Sequence, residues 1–254
     1  MAVPDHPIIA LWSHPRSMST ATERIMRERG DMTCFHEPFL ADYYLNRSPR
    51  PLAHFDVAAD AYRTYDEARN AVLAAAENGP VFFKDMSYYV VPHLFEDAEF
   101  LSRITHAFLI RDPRRAIASF YRLDPEFVSV EAGLLSQLEH VRWLEDHLGR
   151  APVVMEAEAI QDDPEDVLSE FWRKTGLPPK PDAFQWSVEA IPEDWQRVAG
   201  WHDTATSSTG IRPSSDAPPA IDVFNAAAEK SPHLHDILNA HWPAYLALRD
   251  RART

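Results

Sequence analysis

Hydroxyl and arginine side chains follow a short apolar run near the start of the chain. Residues 8–12 read IIALW, and the loop after them contains Arg16, Ser17, Ser19 and Thr20 before a helical pattern begins. The N-terminus of a helix presents unpaired N–H groups and the positive end of the helix dipole, and both favour an anion. An arginine and three hydroxyls at that point predict a binding site for a phosphate or sulfate group.

This loop differs from the commonest phosphate loop, GxxxxGK[ST], in which glycines let the backbone wrap the phosphates and a lysine reaches them. Residues 7–29 contain neither glycine nor lysine, and Met18 stands where a flexible residue is usual. Arg16 takes the cationic role, since its planar fork can bind two oxygens of one anion. The alternative interpretation is that the hydroxyls only cap the helix and Arg16 is solvated.

A second segment repeats the arrangement at residues 107–122, AFLIRDPRRAIASFYR. An apolar run ends at Arg111, and the following helix carries Ser119. Asp112 and Pro113 are typical of a helix N-cap followed by proline at the first helical position. An apolar run that ends in Asp is also seen in the metal-binding strand of kinases and NTPases. Because Pro113 follows directly, the cap is favoured, and the segment predicts a second anion site.

Candidate acid–base groups follow two further strand-like runs. His36 and Glu37 lie in FHEPF at 35–39, and Lys84 and Asp85 lie in VFFKDMSYY at 81–89. The carboxyl ends of parallel strands meet at one edge of a sheet. We therefore expect these groups to face the predicted anion sites.

Apolar runs alternate with helical patterns along the chain, which is typical of a parallel sheet covered by helices. The predicted strands are 8–12, 32–35, 81–84, 107–110 and 153–155, and the predicted helices are 57–77, 129–148, 163–175 and 231–250. The sequence predicts an α/β fold in a single domain over 1–254. Within it, 203–220 is rich in Ser, Thr, Pro and Ala, which indicates either a flexible linker or a lid that closes through its hydroxyls and Arg212.

Composition narrows the class of partner. The chain has 254 residues, 45% of them hydrophobic, and a formal net charge of -14, which argues against a nucleic-acid polymer but permits a small anionic ligand. The one cysteine, Cys34, fits a reducing compartment. There is no leader-like N-terminus, no apolar run long enough to cross a membrane and no zinc-type spacing, so we expect a cytoplasmic protein without a metal site.

Three segments together resemble one family. HPRSMST, FLIRDPRRAIASFY and, at 153–178, VVMEAEAIQDDPEDVLSEFWRKTGLP are similar to sulfotransferases that use 3′-phosphoadenosine 5′-phosphosulfate (PAPS), in the branch with a PRSxST-type loop. The resemblance covers roughly residues 7–178. It implies a three-layer, mainly parallel sheet flanked by helices, with the topology of the P-loop nucleotide hydrolases.

The resemblance also implies roles for the anion-site residues. The loop of Arg16, Ser17, Met18, Ser19 and Thr20 would hold the 5′-phosphosulfate. Arg111 and Ser119 would hold the 3′-phosphate, and Arg212 is a loose counterpart of a basic nucleotide-contacting loop. The donor would be PAPS, the product 3′-phosphoadenosine 5′-phosphate (PAP), and the acceptor a hydroxyl or amine of a small molecule; the oligomeric state is left open.

Many sulfotransferases carry a Lys-x-His arrangement after the third strand, with the histidine as base. Here the segment reads Lys84-Asp85-Met86, and methionine cannot accept a proton. In branches with an acidic base after the second strand, a glutamate serves, so Glu37 is our first candidate, His36 the second and Asp85 the third. Lys84 would stabilise charge on the leaving oxygen, together with Arg16.

Two alternatives stand beside this hypothesis. One is a small-molecule kinase that uses ATP and Mg²⁺, and the other is a non-catalytic module that binds PAP or PAPS.

Overall fold

Five parallel strands form the centre of the molecule. The computed structural model describes residues 6–48, 50–53, 55, 57–58, 61–149, 151–187, 195, 201 and 208–253. The strands are β1 (Ile8–Ser13), β2 (Thr33–His36), β3 (Val81–Met86), β4 (Ile104–Ile110) and β5 (Val153–Glu156), in the spatial order β2-β3-β1-β4-β5. Every neighbouring pair is parallel. This confirms the predicted fold class, and each predicted strand is present with bounds shifted by a few residues.

Helices connect and cover the strands. They are α1 (Ser19–Glu28), α2 (Leu40–Asn46), α3 (Tyr65–Ala76), α4 (Ser87–Val90), α5 (His93–Glu96), α6 (Ala98–Arg103), α7 (Pro113–Leu123), α8 (Leu134–Leu148), α9 (Ala157–Asp162), α10 (Pro164–Thr175), α11 (Ala220–Ala228) and α12 (Leu234–Ala252). Short 3₁₀ turns lie at Ser129–Ala132, Pro181–Phe184 and Ser214–Asp216.

The sheet has an apolar layer on each face. Side chains alternate along a strand, so Trp12 of β1 packs into one core with Val72 of α3 and Leu248 of α12. Leu11 points the other way and packs with Ile25 of α1 and residues of α10. A strand that is buried on both faces reads as a continuous apolar run, which is why IIALW predicts a central strand. The result is the three-layer arrangement expected from the sequence.

The predicted helix 57–77 is wrong in its first part. Helix α3 begins at Tyr65, because the hydroxyl of Thr64 accepts a hydrogen bond from the N–H of Glu67 at 3.2 Å and caps the helix there. Asp66 and Glu67 in the first turn complement the helix dipole. The described residues between 57 and 64 are not helical.

The predicted helix 129–148 is divided in two. Gly133 has φ 75°, which ends the 3₁₀ turn before it and starts α8 after it. A Cβ on Gly133 would lie 2.8 Å from the Cβ of His14, so only glycine lets this turn approach the loop after β1. The other two predicted helices correspond to α10 and α12.

The segment at 203–220 is described only from Ser208 onward, and 203–207 lie outside the described residues. The described part is anchored at two points. The indole N–H of Trp186 donates to the carbonyl of Ser208 at 2.7 Å, and the amide of Gln161 donates to the carbonyl of Arg212 at 3.0 Å. None of the described helices is long and apolar enough to cross a membrane.

Candidate functional site

A cavity of about 750 Å³ opens at the carboxyl ends of the strands. The loop after β1, the residue after β2, the end of β3 and the start of α7 all contribute to its wall. Most of the residues singled out from the sequence line it: Arg16, Met18, Ser19, Thr20, Glu37, Lys84, Arg111, Ser119 and Arg212. Ser17, His36 and Asp85 do not line it. The fold thus brings the two predicted anion sites and the predicted acid–base pair into one space.

The loop after β1 has an unusual backbone. Arg16 has φ 64° and Met18 has φ 71°, and both values are rare for residues other than glycine. Met18 precedes the first residue of α1, and no side chain caps that helix. Ser17 is fully buried, and its hydroxyl has no hydrogen-bond partner among the described residues. Strained backbone and an unsatisfied buried hydroxyl are typical of a binding loop rather than a plain connection.

Arg16 joins the two predicted anion sites. Its Nε donates to the hydroxyl of Ser119 at 3.0 Å, and its Nη1 donates to the carbonyl of Trp201 at 2.5 Å. The guanidinium of Arg111 donates to the carbonyl of Arg16 at 2.9 Å. The predicted 5′ and 3′ sites are therefore adjacent, with an arginine from each loop between them.

The loop after β4 is built differently. Asp112 caps α7, as predicted, by accepting a hydrogen bond from the N–H of Arg114 at 2.9 Å, and Pro113 is the first helical residue. Its carboxylate also pairs with the Arg114 guanidinium at 2.5 Å. Because this carboxylate already occupies the N-terminus of α7, an anion on this side must be held by side chains.

Several side chains are placed for that role. Arg111 is mostly buried, with 17% of its side chain exposed, and burial is the main cause that lowers its pKa. Its Nε donates no hydrogen bond within the described part of the chain and lies 3.8 Å from Glu158. Arg115 and Arg122 also line the cavity. They lie about one helical turn on either side of Ser119.

A buried histidine ties the two loops together. The Nε2 of His14 accepts a hydrogen bond from the backbone N–H of Arg111 at 3.0 Å. Burial, followed by the charges of His241 and Arg111, lowers the pKa of His14 to about 3. The ring is therefore neutral and can act as the acceptor. Sequence reasoning missed this contact, because nothing in the spacing of 14 and 111 indicates it.

Lys84 and Glu37 form an ion pair in the cavity wall. The Lys84 ammonium lies 2.5 Å from the Glu37 carboxylate, and only 1% and 8% of the two side chains are exposed. Glu37 has φ 44°, a left-handed conformation that directs this residue out of the strand path of β2. A carboxylate beside a lysine can accept a proton, while the ammonium can stabilise negative charge on an oxygen.

The two other candidate bases lie behind this wall. The Nδ1 of His36 is 2.6 Å from the carboxylate of Glu23, and its Nε2 is 4.0 Å from that of Glu37. Asp85 is fully buried, and its oxygens accept the backbone N–H groups of Phe39 at 2.9 Å and Met86 at 2.8 Å. Burial, and then the nearby charge of Glu37, raise the pKa of Asp85 well above its usual value. Of the three candidates, Glu37 is the one that lines the cavity.

Aromatic side chains make the remaining wall. Tyr44, Tyr88, Tyr89, Phe120 and Trp201 all line the cavity. Burial raises the pKa of Tyr44, whose hydroxyl donates to Glu131 at 2.7 Å, so these phenols are neutral. This part of the cavity suits an apolar or aromatic group.

The similarity of this chain to known proteins extends over nearly its whole length. The family model described as a sulfotransferase domain matches residues 7–252. Two Arabidopsis thaliana proteins, branched-chain-amino-acid aminotransferase-like proteins 1 and 2, are 28% and 25% identical over 95% of this chain. The chain spans 43% and 41% of their lengths, less than half of each.

Among solved structures, the sulfotransferase domain of the olefin synthase of Synechococcus PCC 7002 is 19% identical, with a TM-score of 0.45 over 89% of this chain and 97% of that domain. The match of the family model carries the assignment, because it includes the loop after β1, the Glu37–Lys84 pair and α7 as well as the C-terminal helices. The chain belongs to the sulfotransferase domain family.

Proposed function

We propose that this protein transfers a sulfuryl group from PAPS to a hydroxyl or amine of a small molecule, with Glu37 as the general base. The observation that carries the proposal is the content of one cavity. The cavity is lined by the loop before α1, a helix that no side chain caps, by the arginines that follow two strand ends and by the Glu37–Lys84 ion pair.

The residues present fit the donor. PAPS is anionic at both the 3′ and the 5′ side of its ribose, and the cavity offers cationic and hydroxyl groups from two neighbouring strand ends. Ser17 has a buried hydroxyl, and Arg111 an Nε, without a hydrogen-bond partner in the described structure. Unsatisfied buried donors of this kind are expected where a ligand completes the network. We infer that the loop of residues 16–20 holds the 5′ side and that Arg111 and Ser119 hold the 3′ side.

Bound PAPS supplies the sulfuryl group and a phosphate oxygen as leaving group. Glu37 accepts the proton of the acceptor and so increases the nucleophilicity of the acceptor atom. Lys84 pairs with Glu37 at 2.5 Å and presents positive charge to the leaving oxygen, a role that Arg16 shares. Glu37 and Lys84 are both almost fully buried, so the surrounding protein holds the two side chains in position before the acceptor binds.

The acceptor is expected to be a small molecule with an apolar or aromatic part. Tyr88, Tyr89 and Phe120 would contact that part, since their rings line the cavity together with Glu37. A nucleic-acid polymer is not expected, given the net charge of -14.

The direct test is sulfuryl transfer from PAPS to a panel of alcohols, phenols and amines in the presence of EDTA, followed by mass spectrometry. We expect a sulfated product, and we expect Glu37→Gln to lower kcat by roughly 100-fold, within the range for loss of a general base. Glu126→Gln, a change at an exposed position outside the cavity lining, is the control. Wild-type turnover in Glu37→Gln would exclude Glu37 as the base.

The kinase alternative makes a different prediction in thermal unfolding. Under our proposal PAP raises the melting temperature in EDTA, and ATP with Mg²⁺ does not. Stabilisation by ATP and Mg²⁺ alone would favour the kinase. Stabilisation by PAP without transfer to any acceptor in the panel would favour a non-catalytic binding module.

A further inference from the structure

We propose that Asp85 is a positioning residue that holds the turn after β2 against the end of β3 and so keeps the Glu37–Lys84 pair directed at the cavity. The inference rests on the proposed function, in which Glu37 is the base. Asp85 does not line the cavity, so it acts through the backbone of the two segments that carry the pair.

Asp85 contacts both of these segments. Its side chain is fully buried. Its Oδ2 accepts a hydrogen bond from the N–H of Phe39 at 2.9 Å, and its Oδ1 accepts one from the N–H of Met86, the last residue of β3, at 2.8 Å. Phe39 is two positions after Glu37, and Met86 is two positions after Lys84. One carboxylate therefore joins the backbone just beyond the base to the backbone just beyond the lysine.

The turn after β2 depends on such a contact. Glu37 has φ 44°, a left-handed conformation that a residue other than glycine keeps only where surrounding contacts hold it. The N–H of Glu37 donates to the carbonyl of Lys84 at 3.0 Å, which extends the pairing of β2 with β3 by one residue. Pro38 has no N–H, so Phe39 supplies the next backbone donor, and Asp85 accepts it. The turn is thus fixed to β3 on both sides of Pro38.

A carboxylate meets a requirement here that a neutral side chain cannot meet. Lys84 pairs with Glu37, and no cation pairs with Asp85 within the described residues, so burial of this acid is costly. Asparagine would avoid the buried charge, but its amide has a single acceptor oxygen. It would leave one of the two N–H groups facing its own NH₂ group. Two buried backbone donors at one place need two acceptor oxygens, and aspartate supplies them.

The ring of Phe39 gives the turn a second anchor. Phe39 is fully buried, and its ring centroid lies 5.1 Å from that of Tyr65 and 6.1 Å from that of Phe83. A change at Asp85 removes the contact to the N–H and leaves this packing in place. We therefore expect such a change to displace the Glu37 carboxylate without unfolding the turn.

The test is a double-mutant cycle with Asp85→Asn and Glu37→Gln. Asp85→Asn keeps the size of the side chain, and we expect it to lower kcat roughly 10-fold to 100-fold, the range for a misplaced catalytic group, with little change in KM for PAPS. In the Glu37→Gln background the same change should lower kcat no further, because Asp85 acts through Glu37. Asp97→Asn is the matched control, since Asp97 also accepts a backbone N–H, that of Phe100 at 3.0 Å, and lies outside the cavity lining. Wild-type kcat in folded Asp85→Asn, or an equal loss in both backgrounds, would overturn the proposal.

A second readout is independent of activity. Amide hydrogen exchange, followed by NMR, should show a slowly exchanging N–H at Phe39 in the wild-type protein, and Asp85→Asn should make that amide exchange faster. A rapidly exchanging Phe39 amide in the wild type would overturn the proposal, even if Asp85→Asn does not fold. Absence of any sulfuryl transfer by the wild type would instead contradict the proposed function, and the exchange at Phe39 would still decide whether Asp85 holds the turn.

Discussion

Two loops of this protein share a sequence pattern but differ in structure. Each follows a buried parallel strand, contains an arginine and leads into a helix. The loop after β1 has Arg16 and Met18 in left-handed conformations and leaves α1 without a side-chain cap. The loop after β4 has Asp112 as a cap, and that carboxylate occupies the helix terminus.

The difference shows how two anion sites can share one pattern and use different groups. At α1 the helix terminus itself is suited to an anion, because no side chain has neutralised its dipole. At α7 the aspartate has done so, and the binding that we propose there depends on the side chains of Arg111 and Ser119. We therefore call the proposed site at α1 the backbone site and the proposed site at α7 the side-chain site.

The largest effect is expected at the side-chain site. Arg111→Met removes a charged donor there, together with its bond to the carbonyl of Arg16. We expect affinity for PAP to fall roughly 10-fold to 100-fold, as for loss of charge-assisted hydrogen bonds. Calorimetric titration measures it. Arg114→Met, three residues further on in the first turn of α7, is the control, because Arg114 pairs with Asp112 and does not line the cavity. Equal losses in the two variants would contradict the assignment.

The bond between the loops predicts a pH dependence of stability. Folding lowers the pKa of His14 from 6.5 to about 3, so between these values the unfolded chain binds a proton that the folded chain does not. The contribution of neutral His14 to the stability of the folded state is therefore complete above pH 6.5, and it is lost as the pH falls toward 3. Between pH 7 and pH 5, the free energy of unfolding of His14→Gln should fall by about 2 kcal/mol less than that of the wild type. Urea unfolding at both pH values tests this, and identical pH slopes would contradict it.

At the backbone site, Ser17→Ala separates binding from stability. The buried hydroxyl has no partner within the described protein, so its removal should leave the free energy of unfolding nearly unchanged. Ser17 does not itself line the cavity, but it lies between Arg16 and Met18, which do, and we expect the bound ligand to engage its hydroxyl, so affinity for PAP should fall by about 10-fold, the cost of one hydrogen bond to a charged group. Ser19→Ala offers the comparison with a hydroxyl that lines the cavity. Loss of stability without loss of affinity would mean that Ser17 is structural.

The smallest effect is expected from Asp112→Ala. Removal of the cap should cost about 1 kcal/mol of stability, measured by urea unfolding. Affinity for PAP should stay the same or rise, since a negative charge leaves the second site. A large drop in affinity would show that the second site depends on its helix terminus after all.

The sequence predicted the parts of the site that are local. Arg16, Glu37, Lys84 and Arg111 each follow or end an apolar strand, so the rule that parallel strand ends share an edge was enough to place them in one cavity. Asp112 was identified as a cap because Pro113 follows it.

The parts that depend on packing were not predicted. His14 meets Arg111 across 97 positions, and Glu23 meets His36 only because α1 lies over β2. The early start predicted for α3 failed because helical spacing from 57 outweighed the capping pattern at Thr64. In the first two cases the deciding contact joins groups whose separation in sequence follows no helix or strand period, whereas the cap at Thr64 is a local contact to Glu67.

The central claim is that two different anion sites hold one nucleotide. Isothermal titration calorimetry in EDTA with PAP, 5′-AMP and 3′-AMP tests it most directly. We expect PAP to bind and each monophosphate to bind at least about 10-fold more weakly, because each monophosphate leaves one site without its charge-assisted hydrogen bonds. No binding of PAP, or equal binding of PAP and either monophosphate, would contradict it.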